Sequence, residues 1–194
     1  MVDEAFPFHV PAAAEADEMT AASLGAMKTE MVAALPSADD MERLPGAVER
    51  RLEQRVTEFA ARAPDEPAIE VMSSAAGADA ARPRAVAAGE FQDADSFHRG
   101  SGTATVYDVP GAGRVLRLAG FRVTNGPDLH VLLAEGSRPA RRGDLGDYLD
   151  LGPLKGNVGD QNYAIPAGTD IAAYSSVVIY CQPFHVIFAT AELS

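Results

Sequence analysis

Apolar and polar positions follow one rhythm before Gly89 and another after it. From Ala12 to Leu35 the residues Leu24, Met27, Met31 and Leu35 recur at spacings of three and four, which places them on one helix face. The Ala, Glu, Met and Leu around them favour a helix, and Pro36 predicts its end. Ser37 and Asp40 have capping-box spacing, with Asp where Glu would reach better. After Pro45 and Gly46 a second helix is predicted over Ala47–Arg62, with Val48, Leu52, Val56 and Phe59 as its stripe. Both stripes are narrow, so residues 1–63 read as a helical hairpin, with a partner-binding helix or a stalk as the other readings. Residues 64–88 mix Pro, Ala, Ser and Gly without periodicity, which is linker composition. Within them, Ile69–Met72 could form a brief strand.

From Gly89 onward the period is that of strands. Eight short pieces are predicted: Gly89–Gln92, Gly102–Val109, Arg114–Thr124, Leu129–Ala134, Tyr148–Leu151, Tyr163–Ile165, Tyr174–Tyr180 and His185–Leu193. Gly/Pro turns separate them and no helical period intervenes. Gly120 inside the third piece predicts a bulge. The expected fold is all-β, an antiparallel sandwich or barrel over residues 89–194, preceded by the helical segment and the linker.

Charge narrows the partners. The chain has 194 residues and a net charge of −12. Nucleic acid and anionic membrane surfaces need a basic patch, and none is present. No apolar run is long enough to span a bilayer. The N-terminus lacks the basic and apolar regions of a signal peptide.

The chemistry-bearing residues concentrate in a few places. Between Asp150 and Pro166 the turn formers Gly152, Pro153, Gly156, Asn157 and Gly159 predict a shaped loop. That loop carries Lys155, Asn157, Asp160, Gln161, Asn162 and Tyr163. It is either a structural loop that satisfies its own backbone or a polar surface presented to a partner. The stretch Thr124–His130, with Asn125 and Asp128, is comparably loaded. Cys181 is the only cysteine, so no internal disulfide can form. It is a buried inert thiol, a reactive thiol or a ligand.

Histidines stand at positions 9, 98, 130 and 185. Cys181 and His185 are spaced C-x3-H, and with His130 they offer the two-histidine, one-thiolate set of a blue-copper centre, although no Met follows His185. Haem ligation could use the same residues. Asp144, Asp147, Asp150 and Asp160 are oxygen donors for calcium without EF-hand spacing; a solvated acidic face is the default reading. No nucleophile elbow and no phosphate loop is present, so a hydrolase or transferase is disfavoured and an electron-transfer or binding module is preferred.

The runs GEFQDADSFHRGSGTATVY, LRLAGFRVTNGPDLHVLLAE, DYLDLGPLKGNVGDQNYAIP and YSSVVIYCQPFHVIFATAEL, in that order, resemble the DM13 domain. The resemblance covers roughly Gly89 to Ser194. It implies an all-β domain in an extracytoplasmic, cell-envelope setting, where DM13 domains accompany haem-binding domains. It also implies a redox role centred on the cysteine matching Cys181, as a free thiol or a haem ligand. Bacterial members often carry a membrane-spanning helix just before a segment like VDEAFP, so anchoring through a segment outside this chain is expected. The leading expectation is an envelope redox or electron-transfer module working through Cys181. Asn125, Asp128, Lys155, Asn157, Gln161, Asn162 and Tyr163 are expected to form the nearby polar surface. The alternative is a surface-binding or adhesion module that uses the NGPD and LKGN loops to contact a protein or glycan.

Overall fold

The turns after Gly89 cut the chain into short extended pieces, and all of them enter one sheet. The computed structural model, which describes residues 10–41, 43–72 and 82–194, contains β1 (Arg84–Asp93), β2 (Gly100–Val109), β3 (Gly113–Val123), β4 (Leu129–Ala134), β5 (Tyr148–Pro153), β6 (Val158–Ile165), β7 (Ser176–Cys181) and β8 (Val186–Glu192). Their spatial order is β5-β4-β7-β8-β1-β2-β3-β6. The strands are antiparallel and the sheet is nearly closed into a barrel. β1 carries the curl, because Arg84–Glu90 pair with β2 while Phe91–Asp93 pair with β8.

Two strands begin well before their patterns predict. β1 begins at Arg84, where the Ala-rich sequence shows no alternation, and β6 begins at Val158, inside the predicted loop. The bulge at Gly120 is present: the β3–β6 register shifts between Leu118 and Phe121. The Gly120 amide donates to Asp160 Oδ1 at 2.8 Å.

The apolar run on β7 is explained by burial, since all six of its residues are inside. Val178 and Tyr180 meet Leu132 and Ala134 of β4, Ile187 of β8 and Leu145 in one core cluster. Phe91 and Phe121 meet edge to face with ring centres 5.1 Å apart. Such a pair contributes about 0.5–1.5 kcal/mol beyond its burial.

The helical residues form α1 (Ala13–Asp17), α2 (Ala21–Ala34), α3 (Ala38–Met41) and α4 (Gly46–Ala60). The helix predicted from Ala12 to Leu35 is broken before Thr20, whose hydroxyl accepts the Ser23 amide at 3.2 Å and starts α2 afresh. Ser37 and Asp40 pair as their spacing predicts, the Asp40 amide donating to Ser37 Oγ at 3.3 Å. Leu24 and Met31 are buried from the first stripe, and Leu52, Val56 and Phe59 from the second. α4 packs against α1 and α2.

The chain separates into two compact units. One gathers the described residues up to Asp65 together with Asn125–Leu129 and Cys181–His185. The other holds Glu66–Thr124, His130–Tyr180 and Val186–Ser194.

Candidate functional site

Cys181 belongs to the first unit, and its surroundings there are well defined. It is fully buried, and its thiol donates to the Pro127 carbonyl at 3.2 Å. The Gln182 amide donates to the Asp128 carbonyl at 3.1 Å, so the thiol and the residue after it both tie the end of β7 to the NGPDL loop. That loop is fixed in turn by Asn125, whose amide donates to the Pro64 carbonyl at 3.2 Å and whose Oδ1 accepts Lys28 Nζ at 2.6 Å. Burial pushes the Cys181 thiol well above its ordinary value. The carboxylates of Asp128 and Glu53 push the same way, and the Phe184 amide opposes them. The sulfur is therefore a neutral thiol, because thiolate activation requires positive charge nearby and here the charges are negative.

Two residues of the same unit hold unusual backbone angles. Asp128 has φ 43° and His185 has φ 57°, the two non-glycine residues with positive φ among the described residues. Asp and His tolerate this region better than most side chains, yet such conformations persist only where the surroundings impose them. A recess of about 250 Å³ opens beside Asp128, lined also by Gln182, Pro183 and the α2–α3 residues Val32, Leu35 and Ser37 among others. Lys28, Glu53 and Pro127 were not singled out by sequence reasoning, since no local pattern links helix positions to a loop so distant in the chain.

In the second unit the polar run of the 150–166 loop is folded inward. Asn157, Gln161 and Tyr163 are buried. Gln161 Nε2 donates to the Gly156 carbonyl at 2.6 Å, and its Oε1 accepts the Tyr163 hydroxyl at 2.9 Å and the Lys155 amide at 3.2 Å. The Tyr163 oxygen also accepts the Lys155 amide, at 3.0 Å. Burial pushes the Tyr163 phenol up to about 12. Asn157 Nδ2 donates to the Val123 carbonyl at 3.3 Å. Gln161 and Tyr163 thus serve the backbone of their own loop, and Asn157 ties that loop to β3.

Lys155 and Asn162 are engaged by a segment that composition assigns to the linker. Glu66–Val71 runs along β6 as an added parallel strand, with an isolated bridge between Pro67 and Val158. The Ala68 and Glu70 amides donate to the Val158 and Asp160 carbonyls, each at 2.8 Å, and the Glu66 amide donates to Asn157 Oδ1 at 2.7 Å. Lys155 Nζ reaches both Glu70 carboxylate oxygens, at 2.9 and 3.0 Å. The Asn162 amide donates to Glu70 Oε2 at 2.8 Å, and Arg117 donates to the Glu70 carbonyl at 3.1 Å. Lys155 chiefly holds the Glu70 carboxyl below its usual range. The brief strand expected at Ile69–Met72 was the one visible signal of this arrangement.

The family model for Electron transfer DM13 matches residues 90–193, more than half of the chain. The chain belongs to the DM13 family. No curated protein and no solved structure matches it. The matched span of this DM13 domain contains Cys181, the NGPDL loop and the Lys155–Tyr163 cluster; the strand at Glu66–Val71 lies outside it.

The histidines of the DM13 domain have separate settings. His130 Nδ1 lies 2.8 Å from Asp150 Oδ2 in the second unit, whereas His185 is in the first unit with Cys181. His98 Nδ1 lies 2.7 Å from Asp95 Oδ2, and its ring is tilted against Phe188 at 4.3 Å. His9 and the VDEAFP segment lie outside the described residues. Among the described residues no group of three or more His, Cys, Asp or Glu is placed to hold a metal ion, so the geometry gives the predicted copper set of Cys181, His130 and His185 no support; the same holds for the calcium candidates. Cys181 is fully buried, so as folded its sulfur is closed to a haem iron or a copper ion approaching from solvent. A groove of about 940 Å³ along β1, β2 and β8 is lined by Glu90, Asp93, Thr103, Thr105, Arg138 and Thr190 among others, with no cysteine or histidine.

Proposed function

We propose that this chain is a redox module of the cell envelope in which Cys181 is the working group, held in a shielded, protonated state until the recess beside it opens. The electron-transfer description of the DM13 family supports a redox role. The observation that carries the choice of residue is positive φ at Asp128, next to the Pro127 carbonyl that accepts the Cys181 thiol, and at His185, on the corner that follows Cys181 in the chain. The extracytoplasmic setting follows from what the DM13 resemblance implies. Among the described residues no helix is long and apolar enough to cross a membrane.

A chain with one cysteine cannot close an internal disulfide. Its reversible chemistry is thiol–disulfide exchange with a partner. Once exposed, the Cys181 thiol loses its proton to water and attacks one sulfur of a partner disulfide. A new sulfur–sulfur bond forms, the partner bond breaks, and the departing thiolate takes up a proton. The low thiolate fraction in the closed form makes this step slow, so opening controls the rate. The test compares the wild-type chain with Cys181→Ala. The substitution abolishes every reversible redox response while circular dichroism stays unchanged; a response that survives in the folded variant rules Cys181 out. Protease treatment of intact cells and of spheroplasts tests the location, with cleavage of the chain expected only where the envelope face is reached.

The alternative is a binding module in which Cys181 is a core residue, and the complete burial of the thiol favours it. Retained partner binding in Cys181→Ala together with no thiol reactivity in the native state would select this reading.

A further inference from the structure

The edge of β6 that does not face β3 is built as a site for an extended peptide. Its occupant here, Glu66–Val71, makes the contacts of strand addition, in which main-chain hydrogen bonds hold the peptide and side-chain contacts select it. Selection is visible at two places. A Cβ on Gly156 would lie 2.2 Å from the Glu66 carbonyl oxygen, and one on Gly159 would lie 2.2 Å from the Ala68 carbonyl oxygen, so the edge is left bare for a close-lying backbone. Two residues beyond Ala68, Lys155, the Asn162 amide and Arg117 surround Glu70 and read its carboxylate and carbonyl. The segment buries neither of its large apolar side chains: Ile69 is 85% and Val71 82% exposed. Nothing hydrophobic at those positions retains it, and it begins where one compact unit gives way to the other in the chain.

We propose that this edge is a strand-acceptor site and that its partner is the Glu66–Val71 segment of a second copy of the chain. Every contact described for the segment is available, atom for atom, when the donor and acceptor are different copies, which is the condition for exchange of an identical element. The enclosed form prevails at low concentration because the tethered segment has a high effective concentration. Exchange is favoured when copies fold together in a crowded setting.

Charge reversal separates the two arrangements. Glu70→Lys places two cations together in its own site, and Lys155→Glu places two anions together in its own site. Each chain closes on itself less favourably than the wild type does. In an exchanged pair, each segment meets a complementary site. Refolded separately and examined by native mass spectrometry, each variant is expected to be monomeric near 20.4 kDa. Refolded as an equimolar mixture, they are expected to form a mixed dimer of one chain of each kind. A mixture of folded variants that yields only monomers overturns the proposal. If either variant fails to fold, isotopically light and heavy wild-type chains refolded together at high concentration provide the second measurement. A light–heavy dimer that Ala68→Pro abolishes, by removing the Ala68 amide donor, upholds the proposal. The absence of that dimer, or its persistence in Ala68→Pro, overturns it.

Discussion

Replacing Gly156 by Ala tests how the segment along β6 is held. Gly156 does not need a left-handed backbone; what it needs is room. The added Cβ would stand 2.2 Å from the Glu66 carbonyl oxygen, 2.9 Å from the Ala68 nitrogen and 3.1 Å from the Ala68 Cβ. The two closest atoms are backbone, which cannot rotate away, so the segment must leave the edge. Its departure removes the hydrogen bonds donated by the Glu66, Ala68 and Glu70 amides and those that the segment accepts from the Asn162 amide, Asn162 Nδ2 and Arg117. Each contributes about 1 kcal/mol net. The Lys155–Glu70 pair is 42% and 36% exposed, and an exposed pair contributes at most about 0.5 kcal/mol after screening. The released segment recovers part of its backbone entropy, which opposes these losses. The expected destabilisation is therefore about 1–3 kcal/mol. Urea unfolding measures it, and amide hydrogen exchange at Ala68 and Glu70 shows whether the loss is local. Gly143→Ala is the control, since a Cβ there meets nothing within 4 Å, and it is expected to stay within about 0.5 kcal/mol of wild type. Undiminished protection at Ala68 and Glu70 in Gly156→Ala, with unchanged stability, would refute the packing described for this edge.

Tyr163→Phe removes a hydroxyl that bonds both Gln161 and the Lys155 amide; a loss of about 1–2 kcal/mol is expected in urea unfolding. The raised Cys181 thiol stabilises the fold fully below the unfolded thiol value, and that stability is lost as pH rises past it. Wild type is thus expected to lose about 1.4 kcal/mol per pH unit more than Cys181→Ala above roughly pH 8.5–9, read by unfolding at successive pH values. The lowered Glu70 carboxyl acts in the opposite sense: its contribution is present above the unfolded carboxyl value and is lost as pH falls through the folded one. Exchange at the Ala68 amide should therefore accelerate in acid, and Glu70→Gln should remove that dependence.

Much of the fold could be read from the chain because turns punctuate it. Gly or Pro residues stand at or just beyond at least one end of every strand, and β4 was predicted with its observed bounds. The apolar Tyr174–Tyr180 run marked the buried strand β7 for the same reason: alternation disappears when both faces are covered. The start of β6 was hidden because Asp160, Gln161 and Asn162 are polar. In the fold their polarity is consumed by Arg117, by the loop amides and by the added segment. A parallel partner such as Glu66–Val71 leaves little periodic trace: only Ile69 and Val71 hint at a strand, and the Glu, Pro and Ala around them look the same in a linker. The break before Thr20 did have a signal, the N-cap hydroxyl itself, but the Ala-rich composition on both sides concealed it. At Cys181 the residue type could be read and its environment could not, because the carboxylates and carbonyl that keep it protonated come from distant parts of the chain.

The most direct test of the account is to hold the folded wild-type chain in glutathione buffers of graded redox poise and follow its intact mass. The account predicts a single glutathione adduct at Cys181 that forms more slowly than in the unfolded chain, reverses when the buffer is made reducing, and leaves the fold intact. An adduct that forms only after denaturation, at every poise tested, would contradict a redox role for Cys181 and leave it a core residue.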